Sequence, residues 1–255
     1  SLVSVLSQHD FSDQKKIWVG NGRLRLDGHT ITDAHKGPKI QSIDEIIKHS
    51  SNVGIAKLAM KDAPSQLQRW AHHFGFGQST SSGFPGEASG FIKSHLKPNG
   101  LTHASFSFGY GVSATNLQIA QAFSVFANHG RLQPITFLKK EKHTEGGKII
   151  STQMADRITH LLTHVVDGGG TGRRARVHGV HVAGKTGTAY LVGKKGYDHH
   201  RYLASFVGYA PAKDAKLVVS VFIVNPDFAH HFGGQGAAPI FQSIMSKGLR
   251  RLERS

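Results

Sequence analysis

The sequence predicts an α/β fold in which an antiparallel sheet is flanked by helices, and three observations carry that prediction. Amphipathic helical patterns dominate the first two thirds of the chain. Two short apolar runs, Leu203 to Ala210 and Leu217 to Val224, are separated by a polar turn and closed by Pro211 and by Asn225-Pro226, as an antiparallel hairpin requires. A last amphipathic segment with Phe241, Ile244, Met245, Leu249 and Leu252 is expected to cover one face of that sheet.

The helices can be justified in order. Ser42-Ile43-Asp44-Glu45 is a capping box, and Ile43, Ile46 and Ile47 behind it form an apolar face, so a helix starts at about Ser42. It runs toward Ser50-Ser51-Asn52, a polar triplet that favours a turn, after which Val53, Ile55, Ala56 and Leu58 resume a helical pattern. Pro64 opens the next helix, with Leu67, Trp70, Ala71 and Phe74 on one face and Gly75 as terminator. From Thr115 to Asn128 apolar residues occupy two faces, with Leu117, Ala120, Phe123 and Ala127 on one and Ile119, Ala122 and Phe126 on the other, which predicts a buried helix. Met154, Ile158, Leu161, Leu162 and Val165 mark a further amphipathic helix ending in Gly168-Gly169-Gly170.

At 255 residues and 38% hydrophobic, the chain can bury one large core, so residues 1–255 are expected to form a single domain. No run of about 18 apolar residues occurs and the start lacks a signal-peptide pattern, so any anchor or export signal is expected outside this chain. Zero cysteines exclude a disulfide framework and a thiolate zinc site. The formal charge of +15 favours polyanions in general, yet the one tight cluster, Arg173-Arg174-Ala175-Arg176, lacks interleaved aromatics, so no dedicated nucleic-acid site is expected. The histidine doublets His72-His73, His199-His200 and His230-His231 have no third ligand at a suitable spacing, and no metal or other cofactor is expected.

Gly184-Lys185-Thr186-Gly187-Thr188-Ala189 carries the chemistry, and it fits two signatures. Read from Gly179, it completes the G-x-x-x-x-G-K-T loop that cradles nucleotide phosphates. That loop needs an apolar strand before it and a helix beginning at Lys-Thr. The charged segment Arg173 to His178 and the extended pattern Val180 to Ala183 supply neither. Read with Ser50-Ser51-Asn52, it instead resembles the K-T-G element of penicillin-recognising enzymes.

With Gly83-Phe84-Pro85-Gly86-Glu87, Phe106-Ser107-Phe108-Gly109-Tyr110-Gly111, Thr115-Asn116-Leu117-Gln118 and Phe206-Val207-Gly208-Tyr209-Ala210-Pro211 in the same order, nearly the whole chain resembles the transpeptidase domain of class B penicillin-binding proteins of the cell-division type. The resemblance implies the fold shared with serine β-lactamases. It also implies a serine D,D-transpeptidase that acylates itself with a peptidoglycan stem peptide, releases D-alanine and passes the acyl group to a neighbouring amine. Stem peptides and β-lactams are the implied ligands, divisome proteins the implied partners of the parent, and the periplasmic face of the inner membrane its implied location.

By the same resemblance, Lys185 places positive charge beside the substrate carboxylate, which the Thr186 and Thr188 hydroxyls hydrogen-bond, while Gly187 leaves the approach open. The Thr188 N–H is an expected oxyanion donor, Ser50 a proton relay, and Asn52 a partner of the substrate amide. Ser50, Asn52 and Lys185 are therefore expected to converge on one cleft. The family's S-x-x-K nucleophile is not matched in a suitable context, since Ser12-Asp13-Gln14-Lys15 is too polar and Ser94-His95-Leu96-Lys97 follows the S-x-N element. A domain lacking its N-terminal part, with Leu2, Val3, Val5 and Leu6 as the rest of the nucleophile's helix, is the expectation. The alternatives are a non-catalytic wall-synthesis scaffold and a serine β-lactamase, the latter without an E-x-x-L-N element.

Overall fold

The computed structural model describes residues 1–35, 37–139, 146–193 and 196–254. They form two compact units, one of residues 1–118 and 134–149 and the other of residues 119–133 and 150–255.

In the first unit, helix α1 (Leu2–Gln8) is followed by strands β1 (Lys16–Trp18), β2 (Arg23–Leu26), β3 (His29–Thr32) and β4 (Ile40–Ser42). Strand β1 pairs antiparallel with β4, and β2 with β3. Helix α2 (Ile43–His49) begins where the capping box predicts: the Ser42 hydroxyl accepts from Glu45 N at 3.1 Å and the Glu45 carboxylate accepts from Ser42 N at 2.6 Å. That second bond holds the Glu45 carboxyl below its ordinary pKa. Helix α3 (Asn52–Ala59) follows after a two-residue turn, and α4 (Pro64–His73) opens on Pro64 and stops before Gly75, whose φ of +88° a side chain would resist.

Small strands β5 (Phe91–Ile92) and β6 (Val112–Ser113) pair around helix α5 (Leu101–Phe106). In the Gly83–Glu87 segment, Glu87 accepts hydrogen bonds from Thr80 N and from the Ser79 and Ser82 hydroxyls, which lower its pKa to about 2.

Helix α6 (Asn116–Ala127) starts in the first unit and ends in the second. Its entry is a second capping box, with Gln118 N donating to Thr115 Oγ1 at 3.1 Å and Thr115 N donating to Gln118 Oε1 at 2.8 Å. The Gln118 amide, fully buried, also donates to Gln78 O at 2.7 Å and Ser89 O at 2.9 Å, so it ties three loops together. The expectation of a helix buried along two apolar faces is corrected here. Gln118, Gln121, Ala122 and Val125 form the buried line, whereas Leu117, Ile119, Phe123 and Phe126 are half-buried.

The second unit is built on three antiparallel strands, β7 (Ala183–Gly193), β8 (Gly196–Ala210) and β9 (Leu217–Val224), in the order β9-β8-β7. The predicted hairpin has its register from Leu203 opposite Val224 to Ala210 opposite Leu217, although β8 begins seven residues earlier than the apolar run suggests (203 minus 196). Alternate residues of β8 face opposite ways. Phe206 packs on Phe241 of helix α8 (Ala237–Leu252) at a ring distance of 4.6 Å, while Tyr209 reaches Thr159 of helix α7 (Thr152–Val166) with a 2.6 Å hydroxyl hydrogen bond. Burial pushes the Tyr209 phenol above its usual range. Phe241, Met245 and Leu249 join Val166, Val182, Phe206 and Val219 in one core cluster. Ile244, expected in that core, is 46% exposed on the other side of α8, and Leu252, in line with Phe241 and Met245, is 50% exposed as the last residue of the helix.

Candidate functional site

In the first unit, the polar triplet forms the turn expected of it. Ser50 caps α2 in the left-handed region with φ 57° and ψ 47°, and Ser51 caps α3, its hydroxyl accepting from Gly54 N at 2.9 Å. Asp33 fixes this entry: its carboxylate accepts from the Ser51 hydroxyl at 2.8 Å and from Val53 N at 2.9 Å, placing negative charge at the helix N-terminus. The Asn52 amide donates to Thr32 O at 3.1 Å, which sets the orientation of its side chain. Gly54 lets the two helices approach closely, because a Cβ there would lie 2.5 Å from Ile46 Cγ1.

In the second unit, Lys185, Thr186, Gly187 and Thr188 lie within β7, an edge strand of the sheet. No helix begins at Lys185, so the phosphate-loop alternative fails on the feature it requires. Burial lowers the Lys185 ammonium to about 8, and its Nζ donates to Thr186 O at 3.3 Å. Residues two apart on a strand share a face, and both threonine hydroxyls are held. Thr186 Oγ1 is 2.7 Å from Thr171 Oγ1, and Thr188 Oγ1 accepts from Gly233 N at 3.1 Å.

The glycines explain how three segments come this close. A Cβ at Gly187 would meet the Ser205 hydroxyl on the paired strand at 2.4 Å, one at Gly233 would meet Ser205 O at 2.2 Å, and one at Gly234 would meet Thr171 O at 2.2 Å. Beyond Thr188, Tyr190, Tyr202, His231 and Phe232 form a ladder of rings 5.3, 4.6 and 4.1 Å apart between successive centroids.

Asp33, Gly54, Thr171 and the Gly233-Gly234 pair were not expected from the sequence. They act across 15 to 63 positions (186 minus 171; 234 minus 171) or through a missing side chain, and no local periodicity marks them. Neither S-x-x-K match lies on a helix. Ser12–Lys15 is a turn, and Ser94–Lys97 is irregular chain whose Lys97 pairs with Asp27. Among the described residues no group of three His, Asp or Glu side chains could hold a metal ion, and the His199 side chain lies outside them.

A family model described as the penicillin binding protein transpeptidase domain matches residues 4–246. The chain is 37% identical over 252 residues to Probable peptidoglycan D,D-transpeptidase PbpC of Pseudomonas aeruginosa, covering 99% of this chain and 44% of that protein. It is 34% identical over 223 residues to Probable peptidoglycan D,D-transpeptidase PenA of Neisseria flavescens, covering 88% and 56%, and 32% identical over 228 residues to peptidoglycan D,D-transpeptidase FtsI of Escherichia coli K12, covering 89% and 39%. It thus spans about half the length of these relatives or less. The apo transpeptidase domain of penicillin-binding protein 3 from Burkholderia pseudomallei superposes with a TM-score of 0.91 at 35% identity, covering 98% of this chain and 76% of that one.

Proposed function

Because the chain belongs to the penicillin-binding protein transpeptidase family, we propose that it is the acyl-transfer part of a peptidoglycan D,D-transpeptidase of septal wall synthesis. The observation that carries this is Lys185-Thr186-Gly187-Thr188 on an edge strand, with both hydroxyls anchored on one face and a lysine whose ammonium is destabilised by burial. An extended peptide can add to such an edge through main-chain hydrogen bonds. Its terminal carboxylate would meet the Lys185 ammonium and the Thr186 and Thr188 hydroxyls, and the Thr188 N–H would face the oxyanion. Ser50 and Asn52 complete this proposal as proton relay and amide holder.

In the reaction, a serine hydroxyl adds to the carbonyl of the penultimate D-alanine, the C–N bond breaks, and the departing amine takes the proton through Ser50. A neighbouring stem's amine then displaces the serine from the ester. Neither Ser12 nor Ser94 is the nucleophile in this proposal, because each lacks the helix that would set a lysine one turn away. The parent would work at the periplasmic face of the inner membrane, with division proteins as partners. Labelled penicillin tests the reading: the 255-residue chain should form no covalent adduct, and a folded chain extended upstream through S-x-x-K should form one at that serine. Acylation of the present chain at Ser12 or Ser94, or an extended folded chain that stays unlabelled, would refute it.

A further inference from the structure

Helix α8 carries a face that neither the core nor the proposed chemistry uses. Lys247, Arg250, Arg251 and Arg254 stand at i, i+3, i+4 and i+7, which puts four cations on one side of the helix and its C-terminal extension. They line a recess of about 400 Å³. Among the described residues none of the four takes part in an ion pair, and α8 itself contains no acidic residue. Two cations in the last turn would suffice to complement the helix dipole. Lys247 lies a turn earlier and Arg254 beyond the end.

The same face continues toward the N-terminus with Ile240 and Ile244, 44% and 46% exposed, seven and three residues before Lys247. The opposite face is committed to the sheet through Phe241, Met245 and Leu249. The outward surface is therefore hydrocarbon over one half and guanidinium-rich over the other. A soluble phosphate would use the cations and ignore the isoleucines. A nucleic acid would want aromatic rings, and this face has none. A bilayer with anionic headgroups uses both halves, with phosphates in the Arg forks and the isoleucines at the acyl boundary.

We propose that the outer face of α8 docks on an anionic phospholipid surface. The proposal is independent of the transpeptidase reading. The test is sedimentation of the full chain with vesicles of phosphatidylglycerol mixed into phosphatidylcholine, against vesicles of phosphatidylcholine alone. Binding is expected only to the first kind and should weaken as salt rises. Each basic side chain near such a surface contributes roughly 1 kcal/mol, about fivefold, so Arg250→Ala with Arg251→Ala should weaken binding about 25-fold. Arg173→Ala with Arg174→Ala, an equal loss of charge elsewhere, should leave it within about twofold. Ile240→Ser with Ile244→Ser should weaken binding while preserving the fold by circular dichroism, because both positions are exposed. No binding to phosphatidylglycerol vesicles, or equal losses from both arginine pairs, would overturn the assignment. So would binding that the isoleucine changes leave intact, which would point to a polyanion in solution instead.

Discussion

Replacing Gly54 by alanine sets two physical effects against each other with opposite signs. Helix propensity alone favours the change by about 1 kcal/mol, since Gly54 sits inside α3 and alanine is the better helix former. Packing opposes it. The added Cβ would stand 2.5, 2.8 and 3.0 Å from three carbons of Ile46, where ordinary carbon contacts are about 3.5–4.0 Å, and Ile46 is only 1% exposed and has nowhere to swing. Overpacking of this kind costs about 1–3 kcal/mol, and three short contacts on one side chain put it in the upper half of that range. The expected net result is a loss of about 1–2 kcal/mol, read from urea unfolding followed by circular dichroism. In an Ile46→Ala background the obstruction is gone, and the same Gly54→Ala change should stabilise by about 1 kcal/mol. The double-mutant cycle should therefore show a coupling of about 2–3 kcal/mol. If Gly54→Ala stabilises the otherwise unaltered chain, the close approach of α2 and α3 is not what sets the Ser50–Asn52 turn.

Two further outcomes are expected in the second unit. Lys185, lowered to about 8 by burial, should titrate near that value by NMR of its ε-carbon; under the proposed function, the ammonium that would meet the carboxylate is half-present near pH 8, fills below it and is lost above it. Because its folded pKa lies below the unfolded value of 10.5, the burial cost is present below about 8 and is relieved between about 8 and 10.5, so this group makes stability rise with pH across that window; affinity for a D-Ala-D-Ala peptide should fall over the same window, and a midpoint near 10.5 would refute the burial argument. Gly233→Ala should lower stability by about 1–3 kcal/mol and speed hydrogen exchange in β7, since the new Cβ would press on Ser205 O and on Gly187 O at 2.4 Å; unchanged exchange would mean the loop and strand are not in register contact.

What the sequence made legible was local. The Ser42 capping box, the Pro64 start, the Gly75 stop and the Leu217–Val224 strand each depend on residues within one turn or one hairpin, and each was found where expected. That no helix begins at Lys185 was legible too, because the extended pattern of Val180 to Ala183 leads into the strand that carries it. The face of a helix that meets the core was less so. Ile244 has the hydrophobicity of a core residue but lies on the wrong side of α8, Leu252 is in line with the core but at the helix's exposed end, and the two glutamines of α6 are buried where apolar residues were expected. A periodicity weighs side chains by hydrophobicity, so it cannot register an amide whose hydrogen bonds are all satisfied inside. Among the candidate residues, residue types and order singled out Ser50 and Asn52 in the first unit and Lys185–Thr188 in the second as proposals, whereas Asp33, Thr171 and Gly233 were invisible because their partners are distant in sequence.

The Gln118 amide shows how narrow the tolerance at such a position is. Its nitrogen gives hydrogens to two carbonyls while its oxygen receives one from Thr115. Glutamate has nearly the same shape and volume, so by size it is the mildest replacement available. Yet a carboxylate would turn an oxygen toward Gln78 O and Ser89 O, where two lone-pair bearers already wait, and would bring a charge into a fully buried place. Steric conservatism is no guide here; the direction in which each hydrogen points decides. A substitution of one heavy atom, or the slow hydrolysis of that amide with age, would therefore unfasten three loops at once.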